Sequence, residues 1–61
     1  MSDSKLLNIY LDFISGRISY GPGGIIYLEY PGDSDIFESY ADLIANVKYN
    51  LKELKKEGAE L

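Results

Sequence analysis

The spacing of apolar positions changes along this chain, and each change marks an expected element. In residues 6–14 apolar groups alternate, with Leu7, Ile9, Leu11 and Phe13 on one side and Asn8, Tyr10 and Asp12 on the other. That is strand periodicity. A short helix over residues 4–13 competes with it, and Ser15-Gly16 supplies a turn after either element. Arg17-Ile18-Ser19-Tyr20 reads as a short second strand. Gly21-Pro22-Gly23-Gly24 then forces a turn, because glycine supplies positive φ and proline fixes φ at a corner. Residues 25–30 (IIYLEY) form the strongest strand signal, β-branched and aromatic almost throughout. Ile26, Leu28 and Tyr30 share one face; Ile25, Tyr27 and Glu29 share the other. Both faces carry apolar groups, so the second is a candidate for subunit or partner contact.

Pro31-Gly32 ends that strand. Asp33, Ser34 or Asp35 is placed to cap a following helix, and Asp35 with Glu38 three residues on has capping-box spacing. Phe37, Tyr40, Ile44, Val47, Leu51 and Leu54 then recur at alternating steps of three and four, the stripe of an amphipathic helix. Acids gather at its start and Lys48, Lys52, Lys55 and Lys56 toward its end, which suits the helix dipole, and Gly58 is placed to stop it. The expected fold is α+β, in the order β-β-β-α. It is a small antiparallel sheet of about three strands packed by one long C-terminal helix, with residues 1–61 as a single domain.

Size limits the core. A chain of 61 residues buries only about 60% of the surface its unfolded form exposes. There is no cysteine to staple it and no Cys/His set for structural zinc. Self-association is the cheap remedy, so a homodimer is expected. The longest apolar run falls well short of the roughly 20 residues of a membrane helix. The start, MSDSKLLNIYLDFISG, lacks signal-peptide character, because its leader has mixed charge and Asn8 and Asp12 break its apolar segment. A cytoplasmic protein is the default expectation.

Charge is unevenly placed. Of a formal net −4, residues 1–42 carry −5 and residues 43–61 carry +1. Between Arg17 and Lys48 there is no Lys or Arg, yet Glu29, Asp33, Asp35, Glu38 and Asp42 fall there, interleaved with Tyr20, Tyr27, Tyr30, Phe37 and Tyr40. Such a surface repels phosphates and attracts basic protein grooves. Tyr27 and Tyr30 could stack on bases only with cations nearby, so nucleic-acid binding is not expected. On a helix Asp35, Glu38 and Asp42 stand at i, i+3 and i+7, roughly 4.5–6 Å of rise per step. Catalysis is not expected either. Histidine and cysteine are absent, and no serine sits in a nucleophile elbow or S-x-x-K motif. No cofactor or metal is implied. Asp33-Ser34-Asp35 with Glu38 lacks the ligand spacing of a calcium loop, and the glycine-rich turn lacks the Lys-Ser/Thr of a phosphate loop.

Residues 27–54 carry a resemblance. Tyr27-Leu28-Glu29-Tyr30, a Gly-containing turn, Ser34-Asp35-Ile36-Phe37-Glu38-Ser39-Tyr40 and then Ala41-Asp42-Leu43-Ile44 resemble the small uracil-DNA glycosylase inhibitors of short-tailed Bacillus phages. Members of that family are short, acidic and dimeric. They act as DNA mimics that fill the enzyme's DNA-binding groove and hold its protruding leucine in an apolar pocket. The resemblance implies that Phe37 lines such a pocket, Tyr40 flanks it and Glu38 stands in for a phosphate. It implies a partner-binding set of Glu29, Asp35, Phe37, Glu38, Tyr40 and Asp42, with Tyr27, Ile25, Ile44 and Val47 serving the dimer or supporting the surface. This chain departs from the family pattern by Ile36 between Asp35 and Phe37, by the two-residue step from Glu38 to Tyr40 and by a short segment missing before Ala41; residues 1–26 show no likeness. The rival readings are a small antitoxin or anti-defence module that binds another basic protein, and a structural module whose acids are only solvated.

Overall fold

In the computed structural model, which describes residues 2–58, the element order is α1 (Asp3–Ile14), β1 (Arg17–Tyr20), a single 3₁₀ turn (Pro22–Gly24), β2 (Ile26–Tyr30), β3 (Asp33–Phe37) and α2 (Tyr40–Lys56). The three strands form one antiparallel sheet in the order β1-β2-β3. The α+β class, the three-stranded sheet and the long C-terminal helix are as expected. The order is α-β-β-β-α, however, and two segments differ from the sequence reading.

Residues 3–14 are a helix, the competing reading of this segment, and not the first strand. Ser2 caps it, its Oγ accepting from the Lys5 N–H at 3.3 Å, with Asp3 in the first turn. Tyr10, placed on the polar side by the strand pattern, is buried, whereas Phe13 is 47% exposed. A strand here would have to find a pairing edge; the helix satisfies its backbone within itself and lays Leu7 and Tyr10 on the core. Ser15, in the left-handed region at φ 56, terminates it.

Residues 33–37 are a strand and not a helix start. Five residues of β3 pair with β2, from Tyr30↔Asp33 at the turn to Ile26↔Phe37 at the far end. The connection is Pro31-Gly32 alone, and Gly32 takes φ 92, which the turn requires and a side chain would strain. Ser39 therefore caps α2, its Oγ accepting from the Asp42 N–H at 3.2 Å. The expected stripe persists from Ile44 onward: Ile44, Val47 and Leu51 are buried and Leu54 packs against them. Gly58 follows the last turn, as expected.

Both helices cover one face of the sheet. Leu7 and Tyr10 of α1, Ile26 and Leu28 of β2, and Leu43, Ile44, Val47 and Leu51 of α2 make one buried cluster. By the two-residue pleat, Arg17, Ser19, Tyr27, Glu29, Ser34 and Ile36 occupy the opposite, open face. Tyr27 is half-buried there because its ring lies over Gly21, where a Cβ would come within 2.6 Å of it. Asp3 and Lys48 (3.4 Å) form an exposed ion pair between the helices. No helix among the described residues is long and apolar enough to cross a membrane.

Candidate functional site

The acidic segment folds into one continuous edge. Strand β3 is an outer strand of the sheet, and it runs through Glu38 and Ser39 directly into α2. Asp33 and Asp35 lie on the helix-facing side of β3, Glu38 in the link, and Asp42 in the first turn of α2; all four are exposed. Among the described residues no Lys or Arg comes within ion-pair distance of any of them, since the ion pairs formed are Asp3–Lys48 and Glu53–Lys56. Alternate residues on a strand stand about 6.6–6.8 Å apart. Asp33 and Asp35 therefore have a wider and more regular spacing than acids on successive helix turns.

Two of these carboxylates are fixed by local bonds. Asp35 Oδ2 accepts from the Tyr30 hydroxyl at 3.0 Å, and that bond holds the Tyr30 hydroxyl proton above its ordinary range, with burial and the Asp35 and Asp33 charges adding to it. Tyr10 is shifted upward as well, chiefly by burial and secondarily by Asp35. Asp33 Oδ1 accepts from the Ser34 N–H at 2.8 Å. In a two-residue hairpin the residues flanking the loop bond to each other, so Ser34 and Ile36 turn their backbone groups away from β2. Asp33 thus covers an outward-facing edge donor, and Asp35 sets a charge on the inward-facing side; both devices discourage another strand from pairing here.

The expected partner-binding set is only partly brought together. Asp35, Phe37, Glu38, Tyr40 and Asp42 follow one another along the β3–α2 edge, but they do not share a helix face as the i, i+3, i+7 spacing implied, because pairing with β2 holds residues 33–37 extended. Glu29 lies on the opposite face of the sheet, beside Arg17 on the neighbouring strand. Phe37 is half-buried and packs against the core, so it does not line an open cup. The apolar groups at this edge are Ile36, 66% exposed on the open face, and Tyr40, 40% exposed at the start of α2. A shallow depression lies elsewhere, bounded by Ser15, Arg17, Glu29, Tyr30 and Pro31. Of the residues expected to serve the dimer or support the surface, Ile44 and Val47 are buried within the chain's own core and so do not reach a subunit contact; Ile25 and Tyr27 are half-buried at the β1–β2 turn and on the open face.

Asp33, Tyr30 and Ile36 also meet at this edge, beyond the residues that the sequence reading assigns to it. The signal was the Pro-Gly pair between two runs of extended residues, which makes residues 33–37 a hairpin partner with Asp33 and Asp35 on one side and Ile36 on the other. Chemically this edge offers fixed, uncompensated anions beside exposed apolar groups. Among the described residues no three acids gather closely enough to hold a cation. Comparison with protein family models, with characterised proteins and with solved structures finds no match to this chain.

Proposed function

We propose that the protein is an inhibitor that acts by protein contact, presenting the β3–α2 edge as a DNA mimic to the basic groove of a DNA-handling enzyme, with uracil-DNA glycosylase as the first candidate. The observation that carries this reading is the run of Asp33, Asp35, Glu38 and Asp42 along one edge, with no cation among the described residues paired to any of them. Uncompensated charge gathered on one edge destabilises a small domain by self-repulsion and attracts a partner of opposite charge. The strand places two of the acids about 6.6–6.8 Å apart, and the Tyr30 hydroxyl and the Ser34 N–H hold their carboxylates before a partner arrives. Such ordering reduces the entropy lost on binding. Ile36 and Tyr40 provide the apolar contact that the resemblance assigned to Phe37.

The test is uracil excision from a uracil-containing oligonucleotide by a bacterial uracil-DNA glycosylase, with and without this protein. The expected result is near-stoichiometric inhibition that weakens at least tenfold in Glu38→Ala. Full activity at large molar excess of the protein overturns the proposal for this enzyme and directs the search to another basic protein, as in the antitoxin or anti-defence reading.

A further inference from the structure

The two outer strands of the sheet are treated differently. The β3 edge is blocked by Asp33 on the Ser34 N–H and by the inward-facing Asp35. The β1 edge has no such protection. Gly21 donates to the Ile25 carbonyl at 2.8 Å, which sets the alternation of the β1–β2 ladder. Arg17 and Ser19 bond toward β2, so Ile18 and Tyr20 direct N–H and C=O outward. Among the described residues none of those four groups finds a partner off the ladder. There is no proline in β1 and no bulge in its register.

Charge says what can approach. From Phe13 to Leu28 the chain holds no acid, and its single charge is Arg17. In a protein of net −4 this is the segment that two copies can bring together with least repulsion, while a basic partner is drawn to β3. Phe13 and Tyr20, both exposed large apolar side chains, belong to it, and Tyr20 is 69% exposed.

We infer that the free edge of β1 pairs with its own counterpart in a second copy of this chain, Ile18 of one copy opposite Tyr20 of the other. The pairing is antiparallel, with a two-fold axis at Ser19. In this register all outward groups of Ile18 and Tyr20 are satisfied, four bonds across the axis, and the two sheets become one of six strands. Tyr20 already stands beside Ile26 on the helix-facing side; pairing sets Ile18 of the second copy on its other flank, an aromatic–β-branched neighbour on each side. The acidic β3 edges then lie at the two ends of the assembly, free for a partner. The inference rests on the fold and charge pattern alone and stands apart from the inhibitor reading.

Sedimentation or light scattering of the full chain, over a concentration series and with no partner present, tests it. The expected mass is that of two chains, falling to one in Tyr20→Pro, which removes an outward N–H and no ladder bond, and in Tyr20→Lys. Circular dichroism of both variants confirms that the fold is kept; should the proline variant unfold, the lysine variant carries the comparison. Ser19→Cys gives the register: directly opposed residues in a non-hydrogen-bonded pair have Cα atoms about 4.5 Å apart, within disulfide reach. The chain has no cysteine of its own, so oxidation of Ser19→Cys yields a covalent two-chain species, while Ser34→Cys on the β3 edge does not. A one-chain mass at every concentration overturns the inference. So does a two-chain mass unchanged by both Tyr20 variants, or bridging by Ser34→Cys in place of Ser19→Cys.

Discussion

Replacing Ser39 by alanine distinguishes two descriptions of the acidic edge by the sign of its effect. In the structure Ser39 stands outside the helix and its Oγ takes one of the four amide protons that a helix start leaves unpaired. Losing such a cap costs about 0.5–2 kcal/mol. The bond is 3.2 Å long, at the long end of the usual range, and Ser39 is only half-buried, so the lower part of that interval, about 0.5–1 kcal/mol, applies. For a domain of this size about 1 kcal/mol moves the melting temperature by roughly 4–8 °C. If α2 instead began at Asp35, Ser39 would lie inside its first turns, where alanine is the better helix former, and the same substitution would stabilise the protein. Urea denaturation of wild type, Ser39→Ala and Asp35→Ala reads the difference. Ser39→Ala is expected to lower stability, Asp35→Ala to cost less than half as much, and Ser39→Asp to restore the cap. A neutral or stabilising Ser39→Ala, or a larger loss from Asp35→Ala, refutes the strand assignment of residues 33–37 and with it the spacing of the acids.

Two further outcomes follow from the core and the tyrosine pair. Leu28 is 1% exposed at the centre of β2, so Leu28→Ala is expected to cost about 2–5 kcal/mol against a total of about 3–9 kcal/mol for a chain of this length; a denaturation midpoint close to wild type contradicts the packing described. Tyr10 and Tyr30 hold their protons above the ordinary tyrosine range in the fold. The folded state then binds protons more tightly than the unfolded state, so this contribution is fully present below pH 10, the ordinary tyrosine value, and is lost as pH rises through the shifted values. Ultraviolet titration should show late-ionising tyrosines, one fewer in Tyr30→Phe; an unchanged late component in that variant removes the Tyr30–Asp35 bond from the account.

The sequence made some of this architecture legible because burial left a regular imprint. Ile44, Val47 and Leu51 are buried at helical spacing, and Ile26 and Leu28 at strand spacing with Tyr30 packed beside them. The first helix was obscured because Leu7, Ile9, Leu11 and Phe13 satisfy a two-residue period by accident. Leu7, Tyr10 and Ile14 keep a helical spacing beneath it, and the amphipathic Tyr10 read as polar although it is buried. Strand β3 was obscured for the opposite reason. Asp33-Ser34-Asp35 has little strand preference of its own and good capping chemistry, and it is extended because β2 offers it a ladder. That tertiary effect moved the acids from a helix face to a sheet edge, on the side of Leu28 and Tyr30 and away from Glu29. It also turned Phe37 inward, leaving Ile36 and Tyr40 as the apolar contacts.

The central claim, that the β3–α2 edge meets a basic groove, is tested most directly by the affinity of a bacterial uracil-DNA glycosylase for the wild-type protein and for the combined Asp33→Asn, Asp35→Asn and Glu38→Gln variant, each at low and high salt. Wild-type binding is expected to weaken with salt, and the variant to fold as wild type but bind at least a hundredfold more weakly with little salt dependence. Equal affinity of the two proteins, or no binding by either, contradicts it.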